Sequence, residues 1–195
     1  MRFLDGRIFR FRRVSERVIA AVAFGACVAA CTPSPPPPTA SAAPAVSSTT
    51  RSPVSSPAEA AGHRAVDVYL GMWDSMASAA RTSDWRSSAL GHFATGEALN
   101  TISRGLYADH QDGLVTKGSP KNEPQVAAMT PADEPSRITI SDCGDSTNWL
   151  KYDADSGELA DDEPGGRRSI TAVVDRQQDG RWLVSDFAVR AVGTC

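Results

Sequence analysis

The sequence predicts an α+β domain in which N-terminal helices pack on one face of a curved antiparallel sheet. Two patterns lead to this prediction. From residue 58 to about residue 112, apolar residues recur at helical spacing, whereas after Gly113 they alternate at the two-residue spacing of strands. Because the helical and strand patterns do not alternate along the chain, separate helical and antiparallel layers are favoured over a parallel sheet with crossover helices.

The first helix is predicted to begin at a capping box, Ser56-Pro57-Ala58-Glu59, with proline at the first helical position. Its apolar stripe runs to about Thr82 through Val66, Tyr69, Leu70, Trp73, Met76, Ala77 and Ala80. A short helical turn is predicted over residues 85–90. Thr95 is expected to cap a second long helix, which ends before Gly113.

The second half of the domain is predicted to form strands over residues 114–117, 124–129, 137–143, 149–152, 169–175 and 182–191. The last two have the strongest strand pattern, and the polar turn 177–180 joins them. The expected arrangement is therefore a meander that follows the helices.

The N-terminus has the three zones of a secretory signal peptide. Residues 1–17 carry six arginines and two acids, residues 18–30 carry no charge, and small residues precede Cys31. The apolar run is shorter than the about 20 residues that a membrane-spanning helix needs. A cleaved signal at residues 1–30 is therefore favoured over a transmembrane anchor. We favour general secretory export, with the twin-arginine route as the alternative suggested by Arg12-Arg13.

The sequence Val28-Ala29-Ala30-Cys31 resembles the lipobox of bacterial lipoproteins. The resemblance implies that Cys31 receives a diacylglyceryl group and becomes the first residue after cleavage. Two acyl chains give stable membrane attachment, so the expected location is the extracytoplasmic face of the cell membrane, with the membrane as a partner through Cys31. The alternatives are lipidation of Cys27, which follows a poorer motif, and cleavage near residues 40–42 with release of the protein.

Residues 31–57 are predicted to be a disordered tether rich in proline, serine, threonine and alanine. They contain almost no large apolar side chain to bury. Beyond residue 30 the chain has 14 basic and 21 acidic residues, a net charge of −7. Because an acidic surface repels phosphate backbones, nucleic-acid binding is not expected. Residues 58–195 have the composition of one globular domain.

Two cysteines, Cys143 and Cys195, remain in the exported domain. A disulfide between them is expected, because disulfides form in oxidising compartments. A redox pair or metal ligands are the alternative, but the chain has no CxxC motif. We expect no metal and no cofactor. The histidines His63, His92 and His110 lack ligand spacing, and the acidic run from Asp153 fails the EF-hand pattern at its sixth and twelfth positions.

Several short motifs lie between residues 69 and 195: Tyr69-Leu70-x-Met72-Trp73, Ala94-Thr95-Gly96-x-Ala98-Leu99, Asp142-Cys143-x-Asp145-x-x-x-Trp149, Gly165-Gly166-Arg167, Gly180-Arg181-Trp182-Leu183-Val184 and Gly193-Thr194-Cys195. With the order of helices and strands, they resemble the nuclear transport factor 2-like superfamily, which includes ketosteroid isomerase and the polyketide cyclases. More narrowly, they resemble small secreted actinobacterial lipoproteins that carry such a domain. The resemblance covers about residues 60–195 and implies a cone-shaped fold with an apolar pocket between helix and sheet.

Asp142 is the candidate catalytic residue. If strand alternation continues, it shares a face with Ile138 and Ile140, where an apolar setting would suit it to general acid–base work. The isomerase branch uses an aspartate in this way, although its motif cannot be matched to this chain residue by residue. We favour the alternative, in which alternation breaks near Cys143 and Asp142 caps a turn.

Large aromatic side chains are the candidate ligand contacts. Tyr69, Trp73, Tyr107, Trp149 and Trp182 could line the implied pocket, although aromatic residues at such spacing are also typical of a core. The function favoured by the sequence is non-catalytic binding of a small apolar ligand or a cell-envelope protein. The alternative is an isomerase- or cyclase-type enzyme that uses Asp142.

Overall fold

The computed structural model describes residues 56–160 and 165–195. The predicted signal peptide, Cys31 and nearly all of the tether lie outside the described residues. So do the acidic residues 161–163. Within the described part, the α+β class is confirmed: two α-helices pack against antiparallel sheets.

The helical layer comes first in the chain. Helix α1 is Pro57–Ala80 and helix α2 is Gly96–Gln111, with a short 3₁₀ helix, Ser88–His92, between them. The predicted capping box is confirmed, since Glu59 N donates to Ser56 Oγ at 3.1 Å and Ser56 N donates to the Glu59 carboxylate at 3.3 Å. These bonds satisfy two backbone donors that the first turn would otherwise leave without partners.

The described strands are β1 Leu114–Lys117, β2 Gln125–Thr130, β3 Arg137–Asp145, β4 Leu150–Asp153, β5 Arg167–Arg176 and β6 Trp182–Val189. They form a four-stranded antiparallel sheet in the order β2-β3-β5-β6 and a separate two-stranded sheet of β1 and β4. This differs from the single meander that the sequence predicts. Both edges of β3 are already paired, with β2 and β5, so β4 cannot pair with β3 and pairs with β1 instead.

The start of α2 is held by strand β6. Thr95 occupies the N-cap position, but its side chain makes no capping hydrogen bond, so that expectation is wrong. Its backbone N–H donates to Val184 O at 2.9 Å, and Val184 N–H donates to Phe93 O at 2.8 Å. Main-chain bonding to the sheet therefore positions α2, which in turn fixes one wall of the candidate site.

Burial alternates along the whole of β3. Ile138, Ile140, Asp142 and Gly144 are buried and lie on the inner face of the sheet. The expectation that alternation ends before Asp142, leaving it to cap a turn, is therefore wrong. The strand continues because β5 pairs with β3 along its full length, as far as Asp145.

The core lies between α1 and the inner face of the four-stranded sheet. Helix α1 contacts β2, β3, β5 and β6, while α2 contacts β6 and β1. The largest side chains that are almost fully buried come from both layers and are Tyr69, Met72, Leu90, Ile138, Ile140, Val174 and Val184. The two-stranded sheet lies beside this core, and the space between it and α2 is not filled.

Candidate functional site

A central cavity of about 660 Å³ lies between the helices and the two sheets. Both helices and every described strand except β2 contribute residues to its lining. Protein interiors normally pack with few voids larger than a water molecule. A space of this volume is instead within the range of ligand pockets, about 300–1,000 Å³.

The walls of the central cavity are mainly apolar. Helix α1 contributes Met76, α2 contributes Ile102 and Leu106, and the large sheet contributes Ile170 and Phe187. Ile102, Leu106 and Ile170 are each less than 5% exposed. Such a lining favours an apolar ligand, because each Å² of apolar surface removed from water contributes about 25 cal/mol of favourable free energy.

An aromatic cluster forms one end of the lining. The Trp73 ring packs edge-on against Trp149, with ring centroids 6.0 Å apart, and against Phe187 at 5.8 Å. Edge-to-face pairs at such distances are favourable beyond their buried area. Trp73 and Trp149, both named from the sequence as possible pocket residues, therefore line the central cavity, and the cluster adds Phe187, which the sequence did not single out.

Asp142 is the centre of a buried hydrogen-bond network. Tyr69 Oη donates to Asp142 Oδ2 at 2.7 Å, Asn122 Nδ2 donates to the same oxygen at 2.6 Å, and the backbone N–H of Glu123 donates to Oδ1 at 2.8 Å. Asp142 is 7% exposed and Tyr69 is fully buried. The network therefore ties α1, β3 and the segment before β2 together.

This arrangement gives Asp142 a structural task. A general base must lie within hydrogen-bonding reach of the proton it removes. Asp142 is not among the residues that line the central cavity, and both of its oxygens accept hydrogen bonds from the protein. Gly144, the next inward residue on β3, does line the cavity.

The Tyr69 hydroxyl stays protonated in the folded state. Burial raises its pKa far above the ordinary value, and the hydrogen bond to Asp142 and the charge of that carboxylate raise it further. The indole N–H of Trp73 lies near enough to oppose this rise, yet it makes no hydrogen bond of acceptable geometry. Tyr69 is consequently a permanent donor to Asp142 at physiological pH.

Three charged side chains line the central cavity: Asp109, Lys151 and Arg168. Lys151 Nζ donates to Asp109 Oδ1 at 2.5 Å, which joins α2 to β4. Arg168 lies on β5 opposite Gly144. The Nε atom of Arg168 is buried and has no hydrogen-bond partner. The same holds for Nε1 of Trp73 and Nε1 of Trp149.

The predicted pocket residues do not all meet at one place. Trp73 lines the central cavity, and Tyr69 lies behind it with its ring 6.2 Å from that of Trp73. Trp182 lines a second, smaller cavity beside the start of α1. Tyr107 is 46% exposed and packs edge-on against Trp85 at 5.2 Å.

Sequence reasoning missed Arg168, Asp109 and Lys151. A signal for Arg168 was present, since it precedes Ile170, Ala172 and Val174 at two-residue spacing and so belongs to the buried face of a strand. No comparable signal existed for the pair of Asp109 and Lys151, because they lie 42 residues apart and meet only in the folded chain.

The expected disulfide between Cys143 and Cys195 is present, with Cα atoms 5.9 Å apart. It fixes the C-terminal residues along the start of β5, where Gly193 N–H donates to Arg167 O at 2.8 Å and Ser169 N–H donates to Thr194 Oγ1 at 2.9 Å. The chain terminus, which would otherwise fray, is therefore held beside the strand that carries Arg168.

Within residues 56–160 and 165–195, no cluster of three or more histidine, cysteine or acidic side chains is arranged to hold a metal ion. His63, His92 and His110 are all exposed. The first part of the acidic run is a tight turn in which Asp153 Oδ1 accepts from the backbone N–H groups of Asp155 and Ser156. No helix among these residues is both long and apolar enough to span a membrane.

No protein-family model matches the chain, and no curated protein matches it. Among solved structures, the chain is similar to the crystal structure of the intermembrane space region of chloroplast protein ARC6. The sequence identity is 16%, the TM-score is 0.47, and the match covers 67% of this chain and 96% of that chain. A similarity at this level does not indicate a shared function.

Proposed function

We propose that this protein is an extracytoplasmic lipoprotein whose nuclear transport factor 2-like domain binds a small apolar molecule without transforming it. The observation that supports ligand binding is the apolar central cavity of about 660 Å³. The observation that supports a non-catalytic role is the bonding of Asp142, whose oxygens accept three hydrogen bonds from the protein itself.

The anchor supports the same proposal from the sequence. A signal peptide, a lipobox ending at Cys31 and a proline-rich tether together describe a domain held near a membrane. In extended conformation the tether reaches at most about 80 Å. A domain held at this distance could capture an apolar molecule at the membrane surface.

Gly105 offers a direct test of the cavity. It lies on α2 in the cavity lining, and a Cβ added there would meet no atom within 4 Å. Gly105→Leu therefore places a side chain in open space at the cavity, while Gly105→Ala is the matched control. The probe is the uncharged dye N-phenyl-1-naphthylamine, titrated by fluorescence into the mature chain, residues 31–195, carrying Cys31→Ser. This chain has neither the lipid nor the apolar signal peptide.

We expect the dye to bind this chain and Gly105→Ala equally, and Gly105→Leu at least about tenfold more weakly, a loss of about 1.4 kcal/mol. No binding to the unsubstituted cavity, or equal binding by Gly105→Leu, would refute the proposed ligand site. The anchor is tested separately by metabolic labelling with an alkyne fatty acid. Cys31→Ala should abolish the label and Cys27→Ala should retain it, whereas the reverse result would refute lipidation at Cys31.

A further inference from the structure

Arg168 is a cationic side chain on an otherwise apolar inner face. It shares strand β5 with the buried residues Ile170, Ala172 and Val174, at two-residue spacing. Its strand partner is Gly144, which has no side chain to cover it. Arg168 is half-buried and also lines the central cavity, so its side chain is within reach of a molecule bound there.

Arg168 forms no ion pair with another described residue. The ion pairs among residues 56–160 and 165–195 involve Arg104, Arg137, Lys151 and Arg181, but not Arg168. Its Nε is buried with no acceptor. A buried N–H donor without an acceptor is costly, because it gives up its hydrogen bond to water and gains none in return.

The other two charged residues of the described cavity lining, Asp109 and Lys151, form an ion pair with each other and not with Arg168. Among the described residues of the lining, Asp109 is the acidic one, and it already accepts a hydrogen bond from Lys151 at 2.5 Å. Arg168 is therefore the charged residue of the described lining that no ion pair there includes. A second buried donor without an acceptor, Trp149 Nε1, belongs to the same lining.

We propose that the molecule bound in the central cavity is a monocarboxylate with an apolar body, and that Arg168 binds its carboxylate. The inference rests on the proposed ligand site and names its ligand class. The planar guanidinium matches the two oxygens of a carboxylate, and one carboxylate supplies the ion pair that the other described residues do not give Arg168. The apolar body lies against Met76, Ile102 and Leu106.

The test compares three probes of equal chain length: decanoate, decan-1-ol and decylammonium. Each displaces N-phenyl-1-naphthylamine from the mature chain, residues 31–195, carrying Cys31→Ser. The variant is Arg168→Gln, and the matched control is Arg190→Gln, which removes the same charge at an exposed position outside the cavity lining. We expect the unsubstituted cavity to bind decanoate at least about tenfold more tightly than decanol, and decylammonium most weakly.

Arg168→Gln should abolish the preference for decanoate while leaving the affinity for decanol unchanged, and Arg190→Gln should behave like the parent chain. Equal affinities of the parent chain for decanoate and decanol would overturn the proposal that Arg168 binds a carboxylate. If both probes still displaced the dye, that result would leave the proposed ligand site itself intact. Failure of the dye itself to bind would instead refute the proposed function.

Thermal unfolding without ligand separates ligand recognition from a structural role. If Arg168 serves a ligand, Arg168→Gln removes a half-buried charge that has no ion pair among the described residues, and it should leave the Tm unchanged or raise it. If it is a structural ion-pair residue, the same substitution should lower the Tm by several degrees, and that result would overturn the proposal.

Discussion

Replacing Tyr69 with phenylalanine removes one oxygen atom from the buried network of Asp142. The hydroxyl donates to Asp142 Oδ2 at 2.7 Å, and both residues are at least 93% buried. The phenyl ring retains the packing of the tyrosine ring against Trp73. The substitution therefore tests the hydrogen bond with little change in volume.

The expected loss follows from the charge of the acceptor. A hydrogen bond to a charged group contributes about 1.5–3 kcal/mol. Asp142 keeps two donors, Asn122 Nδ2 and the backbone N–H of Glu123, so the loss belongs in the lower part of this range. We expect Tyr69→Phe to lower the free energy of unfolding by about 2 kcal/mol, or the Tm by about 6 °C for a domain of this size.

The pH dependence supplies a second, independent expectation. The pKa of Tyr69 is raised in the folded state by burial and by Asp142, whereas in the unfolded chain it is about 10. Above pH 10 the unfolded state loses the proton that the folded state retains, so this contribution to stability falls as the pH rises. The difference between the parent chain and Tyr69→Phe should be constant below pH 9 and shrink above pH 10.

Urea unfolding followed by tryptophan fluorescence measures both effects. Tyr107→Phe is the matched control, because it makes the same change at a ring that is 46% exposed, and it should alter stability by less than about 0.5 kcal/mol. A Tyr69→Phe variant as stable as Tyr107→Phe would refute the structural role that we assign to the network of Asp142.

Two further predictions concern the ends of the large sheet. Cys143→Ser combined with Cys195→Ser should lower the free energy of unfolding by about 4 kcal/mol, since the disulfide closes a loop across 52 residues. The reduced parent protein should unfold at the same urea midpoint as this double variant. A double variant with the midpoint of the oxidised parent would contradict the prediction. The hydrogen bonds from Arg137 lower the pKa of Asp175, so Asp175→Asn should cost about 1 kcal/mol near pH 7. That cost should shrink as the pH falls below about 4, and a cost that grows in acid would contradict the assignment.

Much of the fold could be predicted from local patterns. The capping box of Ser56 and Glu59 and the two-residue alternation of β3 and β5 are determined by neighbours in sequence. Strand pairing could not be predicted in the same way. That β4 pairs with β1 follows from the occupation of both edges of β3, which is a property of the assembled sheet.

The candidate site shows the same division. Trp73 could be named from the sequence, because its helical spacing places it on the inner face of α1. Its contacts could not be predicted, because Trp149 reaches it from the segment before β4 and Phe187 from β6. For Asp142, the inner face of β3 was only the less favoured alternative, and its hydrogen-bond partners could not be named at all.

The sequence by itself therefore determined the α+β class and the cysteine pair, and it supports the prediction of an exported, lipid-anchored chain. These features depend on residue type, on spacing within one element, or on short motifs. Only the tertiary structure decided that Asp142 is hydrogen-bonded within the protein and that Arg168 lines a mainly apolar cavity with no ion pair to another described residue. The physical reason is that hydrogen bonds, ion pairs and cavities depend on distances between elements, and those distances are fixed only when helices and sheets pack together.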